Sequence, residues 1–368
     1  MSIPRTKKAT PFLSTVIHQP YIWAIVALVL LLVINLLKDP GYLGVSFNAG
    51  TGNLSGNLID ILRASAPVMM IAVGMTLVIA TRGIDLSVGS VMAVSGAVSM
   101  QFMSTADGSA GTAFAAAGLA LAVSAVLGVV NGLLVSVVGL QPFITTLITM
   151  LAGRGLAKVI TAGQNTSASN EPFRWIANGT VFGFPVVFVI AAVIVAILAV
   201  LVRRTALGLM IESIGINPKA ARMAGIRPIG ILISVYIVSA VLAGVAGIFS
   251  TASVMTVEVA KTGLSSEMDA ILAVVIGGTS LAGGKFSLTG SVIGALLIAT
   301  LDKTIVFLSI PSSATPAFKA LVIVIICLLQ SQRVRALFAR RRAQVRPTPS
   351  SPSAPPNPAS TRKETVSA

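Results

Sequence analysis

The run "YIWAIVALVLLLVINLL", residues 21–37, decides the class of fold. Several runs of this kind reach about 20 residues, which is enough to cross a hydrocarbon core about 30 Å thick. Lipid offers the backbone no hydrogen bonds, so only helices and closed barrels can span it. Barrel strands alternate apolar and polar side chains, and this run does not. The sequence therefore predicts transmembrane helices.

The composition of the whole chain agrees with a polytopic membrane protein. Of its 368 residues, 55% are apolar and 10% are charged, and the mean hydropathy is +0.94. Soluble domains carry about 25% charged residues. The net charge of +15 could suggest nucleic acid, but the basic residues cluster at the ends of apolar segments and in one tail. Membrane proteins distribute positive charge in this way, so we expect no nucleic-acid partner.

Ten apolar segments predict an all-α polytopic fold. Ten spans place both chain ends on one side of the membrane. If that side is the cytoplasm, its loops hold sixteen Lys and Arg residues, and the opposite loops hold three, Lys38, Arg174 and Lys261. The positive-inside rule then predicts that both ends are cytoplasmic. The approximate spans are 20–37, 58–80, 86–104, 112–138, 142–161, 184–202, 228–250, 267–281, 286–308 and 317–330.

Three regions are expected along the chain. Residues 1–19 form a basic cytoplasmic segment, and residues 20–335 form the transmembrane domain. Residues 336–368 are basic and then rich in Pro and Ser, which predicts a disordered cytoplasmic tail. The first apolar run exceeds the core of a signal peptide, and no small-residue cleavage site follows it, so we expect an uncleaved first span.

The longest inside loop, 203–228, contains signals for one short helix. Asn217 is a suitable N-cap, and Pro218 suits the first helical turn. Gly225 can adopt the left-handed conformation that ends such a helix. Two interpretations remain open: an interfacial helix lying on lipid headgroups, or a docking helix for a cytoplasmic partner. The small and basic residues that would serve docking are Lys219, Ala220, Ala221, Arg222 and Ala224.

A second inside loop, "GGTSLAGGKFS" (277–287), superficially resembles a phosphate-binding loop. The required pattern fails because Thr279 stands where its first Gly belongs and Phe286 follows Lys285. We therefore expect no nucleotide or other cofactor on this chain, and any ATP with its Mg²⁺ must be used by another subunit. Tight turning and close helix packing explain the glycines better, namely Gly277, Gly278, Gly283 and Gly284.

The stretch "TRGIDLSVG" (81–89) places two charges between two apolar runs. One interpretation is structural: Gly83 permits a turn, and Asp85 caps a helix starting at Leu86 with help from Ser87. Gly89 then offers a small face for helix packing. The alternative is a re-entrant break that lines a transport pathway.

Three motifs resemble a known family. They are "GMTLVIATRGIDLSVGSVMAVSGA" (74–97), "GINPKAARMAGI" (215–226) and "EMDAILAVVIGGTSLAGG" (267–284). They look like the permease subunits of bacterial monosaccharide ABC importers of the ribose, arabinose, xylose and galactofuranose type, with a lean towards galactofuranose. The resemblance covers roughly residues 15–335. Two departures are Arg82, where many relatives have a second Gly, and the long C-terminal tail.

The resemblance implies a fold, a location and partners. The fold is similar to the vitamin-B12 permease, with about ten transmembrane helices in the bacterial inner membrane. The partners are a cytoplasmic ABC ATPase, a periplasmic sugar-binding protein, and a second copy or a paralogue of the permease, within membrane lipid. The segment 215–226 then corresponds to the coupling helix that touches the ATPase. The candidate coupling residues are Glu212, Gly215, Asn217, Pro218, Ala220, Ala221, Arg222 and Gly225.

Alternating access of a neutral sugar needs polar side chains in the spans. The candidates for the pathway are Asp85, Ser87, Asn131, Gln141, Thr145, Thr146 and Arg154. For Asn131, Gln141, Thr145 and Thr146, helix packing through polar pairs or small residues is at least as good an explanation. Arg154 lies nearer mid-span and is expected to have a buried partner, whereas Lys158, Lys303 and Lys319 are expected to snorkel to the interface.

Two rival classes are less consistent with the sequence. A stand-alone ion-coupled transporter could use the "GIDLSVG" break, but Asp85 is nearly the only acidic residue near a span centre, and the docking loop would be unexplained. A membrane-embedded enzyme would need a cluster of acid, base or metal-binding groups. With one His, one Cys and eleven carboxylates mostly in loops, we expect neither catalysis nor a metal site.

Overall fold

The computed structural model describes residues 21–48, 53–311 and 313–330. The described chain as far as residue 327 forms one compact unit, and residues 328–330 begin a second. The predicted N-terminal segment 1–19, the last residues of the predicted transmembrane domain beyond 330, and the tail 336–368 lie outside the described residues.

The described residues form thirteen helices and six very short strands. The helices are α1 (Ile22–Lys38), α2 (Asn57–Ala80), α3 (Val88–Ser104), α4 (Ala110–Ser136), α5 (Pro142–Ile160), α6 (Glu171–Asn178), α7 (Val186–Arg204), α8 (Ala206–Ile216), α9 (Pro218–Met223), α10 (Pro228–Val254), α11 (Ser266–Ile276), α12 (Leu288–Phe307) and α13 (Thr315–Gln330). Antiparallel pairs join β1 (Ser46–Asn48) to β2 (Asn53–Ser55), β3 (Thr166–Ser167) to β6 (Thr256–Val257), and β4 (Thr180–Val181) to β5 (Phe184–Pro185).

Every one of the ten predicted spans coincides with a helix. Among the described helices, six are long and apolar enough to cross a membrane by themselves: α2, α4, α5, α7, α10 and α12. The apolar helices α1, α3 and α13 are shorter. A helical, polytopic membrane protein is therefore confirmed, and the count of ten crossings stays a prediction.

The predicted span 267–281 is too long. The helix in this place, α11, has 11 residues and ends at Ile276, which gives a length of about 16 Å. The helix ends because Gly278 adopts the left-handed conformation, with φ +90°, and the backbone N–H groups of Gly278 and Thr279 donate back to Val275 and Val274. Gly277 also lies against Gly290, where a Cβ would come within 2.3 Å. The segment before α11, residues 255–265, folds back into the bundle, so that Gly263 lies against Gly89. This region is thus a short helix joined to an irregular, inward-folded segment.

The centre of the bundle is built from α2, α3, α10 and α12. Helix α2 packs on α10 and α12, and α10 also packs on α3 and α4. Small residues allow the backbones to approach: Gly247 of α10 lies against Met92 of α3, and Gly128 of α4 lies against Ile237 of α10. Most of α4, α5 and α7 remains unburied, and their exposed side chains are largely apolar. Apolar outer faces of this kind suit lipid or another membrane subunit.

Gly247→Ala should destabilise the bundle. A Cβ at this position would lie 2.4 Å from the carbonyl oxygen of Met92, and overpacking of this kind costs about 1–3 kcal/mol. The matched control is Gly118→Ala in α4, where no atom lies within 4 Å. The control should be neutral or slightly stabilising, because Ala favours helices over Gly by about 1 kcal/mol. Thermal unfolding in detergent measures both, and equal midpoints would contradict the assigned packing.

Candidate functional site

The loop at residues 203–228 contains the short helix that the sequence predicts, α9. The side-chain oxygen of Asn217 accepts hydrogen bonds from the backbone N–H groups of Lys219 and Ala220, at 3.0 and 3.1 Å. Pro218 occupies the first helical position. Gly225 has φ +84°, the left-handed conformation expected after the helix. Local bonds therefore fix the direction of α9.

Helix α9 protrudes from the protein and is anchored to it by a single buried side chain. Ala221 is buried, whereas Lys219, Ala220 and Arg222 are exposed. Met223 is 91% exposed, which is unusual for a large apolar side chain. Beside α8 runs a groove of about 380 Å³ whose lining includes Arg203, Glu212 and Phe286. Among the candidate coupling residues, Glu212 therefore lines this groove, whereas Ala221 is buried against the protein.

Behind α9, three chain segments meet at a common junction. Gly215 near the end of α8 lies so close to Ala80 that a Cβ would come within 2 Å of the Ala80 carbonyl oxygen. The backbone N–H of Gly284 donates to the same oxygen at 2.9 Å. Gly278, Gly283 and Gly284 all have positive φ, between +82° and +90°. The predicted tight turn in this loop therefore brings it to the end of α2 and to the end of α8.

The structure differs from the predicted form of the helix break. Helix α3 begins at Val88, with Ser87 as its N-cap, and not at Leu86. The left-handed conformation falls on Arg82, with φ +66°, and not on Gly83. Gly83 is needed for another reason, because a Cβ there would lie 2.7 Å from the hydroxyl of Tyr236.

Asp85 is fully buried, and its carboxylate is held by three hydrogen bonds. Oδ1 accepts from the backbone N–H of Ser87 at 3.0 Å and from its hydroxyl at 2.5 Å. Oδ2 accepts from the hydroxyl of Ser239 in α10 at 2.8 Å. Asp85 therefore bonds to the start of α3, as expected, through Oδ1. Its other oxygen, Oδ2, bonds to α10, which is distant in sequence.

These bonds continue as a chain through the bundle. The Asn131 amide in α4 donates to the hydroxyl of Ser87 at 2.9 Å, and the Thr149 hydroxyl in α5 donates to the Asn131 carbonyl at 2.6 Å. We call Asp85, Ser87, Asn131, Thr149 and Ser239 the Asp85 cluster. All five are buried. Each donor in the chain points towards the carboxylate, so the bonds polarise one another and join four parts of the bundle.

The structure brings only some of the predicted pathway residues together. Asp85, Ser87 and Asn131 meet in the Asp85 cluster. Thr146 donates to the carbonyl oxygen of Ile84 in the break at 2.9 Å. Thr145 is buried and bonds back to the backbone of Gln141, which is itself exposed at the start of α5.

Sequence reasoning missed Thr149 and Ser239. Thr149 follows Thr145 by four positions and therefore shares a helix face with it, which was a usable signal. Ser239 carried no local signal, because its partner Asp85 lies 154 positions away.

Arg154 has the buried partners that were expected, but they are backbone groups. Its guanidinium donates to the carbonyl oxygens of Thr262 and Gly263, both at 2.6 Å. Glu267 of α11 approaches the same place beside Gly89. Irregular backbone within a bundle needs such donors, because no lipid group can supply them. Arg154 thus holds the inward-folded segment against α5.

The prediction that Lys319 snorkels is wrong. Its ammonium lies 2.8 Å from Asp302 and 3.1 Å from Asp269, and the lysine side chain is only 19% exposed. Lys303 likewise pairs with Asp60 at 3.4 Å, whereas Lys158 is exposed. Lys319 of α13 thus pairs with α11 and α12, and Lys303 of α12 pairs with α2, because pairing is cheaper than leaving a cation near lipid. Asp85 is consequently not the only acidic group inside the bundle.

The long apolar helices and their apolar outer faces define an integral membrane protein. The model of the family "branched-chain amino acid transport system / permease component" matches residues 57–329. The chain belongs to this permease family.

Several sugar permeases are similar to the chain over most of its length. A fructose import permease of Bifidobacterium longum is 53% identical over 339 residues, which cover 90% of this chain and 94% of that protein. A galactofuranose transporter permease of Escherichia coli is 41% identical over 321 residues, covering 87% and 92%. A ribose import permease of E. coli is 37% identical over 281 residues, covering 75% and 86%. No solved structure matches the chain. The resemblance to monosaccharide importer permeases is confirmed.

Ser239→Ala should destabilise the protein through the Asp85 cluster. The change removes the donor to Oδ2 of a buried carboxylate, which costs about 1–3 kcal/mol. The matched control on the same helix is Ser234→Ala, because Ser234 is exposed and bonds only to Gly230 of its own helix. Thermal unfolding in detergent should show a lowered midpoint for the first variant alone. A Ser239 variant as stable as the control would contradict the role of the cluster.

Proposed function

We propose that this chain is the translocating subunit of an ABC importer that carries a monosaccharide into the cytoplasm by alternating access. A periplasmic protein delivers the sugar, and a separate ATPase subunit hydrolyses ATP. Two copies of the chain, or one copy and a paralogue, form the pathway between them. The similarity to fructose, galactofuranose and ribose permeases supports the assignment to sugar import.

Helix α9 is the observation that carries the proposal. A short helix with a cap, one buried anchor and an exposed Met223 presents a rigid knob rather than a flexible connector. Burying one protruding apolar side chain in a partner's pocket is an efficient basis for recognition. Arg203, Arg204, Lys219, Arg222 and Lys285 surround this end of the molecule. Their number supports the assignment of this side, and of both chain ends, to the cytoplasm.

The opposite end offers a place for the periplasmic partner. A cavity of about 370 Å³ lies there, and its lining includes Asp60, Arg63, Phe249, Ser253 and Lys303. These residues lie near the start of α2 and near the ends of α10 and α12, at the end of the bundle away from α9. We assign this face to the delivery of the sugar.

The transported molecule is assigned as a neutral monosaccharide, with fructose and galactofuranose as the first candidates. Both are named for relatives that span about nine-tenths of the chain. The Asp85 cluster is sealed from solvent in this structure, so we assign it to holding the helix break and not to contacting the sugar.

The exposed face of α9 should bind the ATPase. Met223→Asp and Ala220→Glu change exposed side chains and leave the buried anchor Ala221 intact, so folding should be preserved. Co-purification of the ATPase from membranes should fall about tenfold or more, since losing a central apolar contact costs 2 kcal/mol or more.

The matched control for docking is Phe182→Asp. Phe182 is 96% exposed and lies in the turn between β4 and β5, in the loop between α6 and α7. Its substitution should leave ATPase association unchanged. If the two α9 variants co-purify with the ATPase as well as the control does, α9 is not the docking helix.

Uptake should depend on ATP and on the periplasmic protein. Vesicles that contain the permease and its ATPase should accumulate labelled fructose or galactofuranose only when ATP and the binding protein are both supplied. An ATPase lacking its phosphate-binding lysine should abolish uptake. Uptake without ATP that collapses when an ionophore is added would instead establish ion-coupled transport. The buried carboxyl of Asp85 and the partly buried charges of Asp269, Asp302 and Lys319 make that comparison informative.

A further inference from the structure

Arg82 is in an unusual backbone conformation for its residue type. Its φ is +66°, in the left-handed region that glycine adopts freely and that a side chain makes costly. The next residue is Gly83, which could have taken this conformation without cost but does not have positive φ. Such a strained conformation persists only where surrounding contacts hold it.

The contacts that hold Arg82 join two other segments. Its Nη2 donates to the carbonyl oxygen of Ile216 at 2.6 Å, and its Nε donates to the carbonyl oxygen of Ala282 at 3.1 Å. Ile216 is the last residue of α8 and comes directly before the N-cap of α9. Carbonyls at a helix C-terminus lack partners within the helix and carry partial negative charge, so a guanidinium suits them.

The aliphatic part of Arg82 fits against the glycine-rich loop. A Cβ on Gly283 would lie 2.3 Å from Cγ of Arg82. The left-handed turn therefore places the stem of the side chain on this loop and its guanidinium between the loop and α8.

On its other side, Arg82 is three residues from Asp85. The carboxylate of Asp85 is bonded to α10 and, through Ser87 and Asn131, to α4 and α5. Hydrogen bonds therefore join the end of α8 to Arg82, three residues of backbone join Arg82 to Asp85, and further hydrogen bonds join Asp85 to the rest of the cluster.

We propose that Arg82 is a positioning residue that transmits displacement of α9 to the buried helix break. The inference rests on the proposed function, because it needs an ATPase that moves α9. Other bonds at the junction do not depend on the side chain of Arg82: Gly284 still donates to Ala80, and Gly215 still packs against it. Removing the side chain should therefore loosen the connection without dismantling the docking surface.

The main test variant is Arg82→Gly, which removes both guanidinium bonds and relieves the backbone strain. Because Arg82 is exposed, the variant opens no core. ATPase co-purification, ATP hydrolysis and thermal midpoint should equal those of the wild type. Sugar uptake per ATP hydrolysed should fall about fivefold, the factor that corresponds to the net strength of one or two hydrogen bonds.

Two further variants distinguish transmission from general structure. Arg82→Lys retains the charge but can bond only one of the two carbonyls well, so its uptake per ATP should be intermediate. Arg82→Asn tolerates the left-handed conformation but cannot reach either carbonyl, so it should behave like the glycine variant and replaces it if that variant folds poorly. The matched control is Arg174→Gln on α6, at the opposite end of the bundle, which should leave uptake per ATP unchanged.

Each result has a defined meaning. Unchanged uptake per ATP in both Arg82→Gly and Arg82→Asn overturns the inference. Loss of ATPase association in these variants also overturns it, because Arg82 would then only shape the docking surface. If the wild-type chain itself does not associate with the ATPase, the proposed function fails first, and that outcome is separate from the others.

Discussion

The carboxylate of Asp85 imposes the constraint on which the centre of this protein depends. A charge enclosed by apolar helices is costly unless donors surround it. Here the donors come from the backbone and hydroxyl of Ser87 and from Ser239. To reach the carboxylate, the chain must interrupt the helix after Ala80 and begin again at Val88. The positions of α4, α5 and α10 around that interruption follow from the bonds that they contribute.

The same requirement explains the irregular segment before α11. Its backbone carbonyls at Thr262 and Gly263 lie inside the bundle and are satisfied by Arg154. Arg154 of α5 thus supplies the hydrogen bonds that the non-helical segment before α11 cannot make for itself. Arg82 does similar work for the last carbonyl of α8. In both places an arginine donates hydrogen bonds to two backbone oxygens.

The sequence predicted those features whose partners are local. The cap of α9 can be predicted because Asn217 bonds to residues two and three positions further along the chain. The long helices can be predicted from their apolar runs. The bonds from Ser239 to Asp85 and from Lys319 to Asp269 were not predictable, because these partners lie 154 and 50 positions apart. The length of α11 was overestimated for a different reason: the predicted span continued through Gly277 and Gly278, whereas Gly278 in the left-handed conformation ends the helix. The roles of the predicted coupling and pathway residues stay predictions.

The separation between Asp85 and Ser239 also has a consequence for biosynthesis. At roughly 5–20 residues per second, the ribosome needs roughly 8–30 s to make the 154 residues between them. During that interval the carboxylate can bond only to Ser87, and Ser87 in turn can accept a bond from Asn131 once α4 has been made. Until α10 enters the membrane, the carboxyl of Asp85 therefore lacks the donor that Ser239 supplies in the folded protein. Insertion of the first half of the bundle is thus completed only by a helix from the second half.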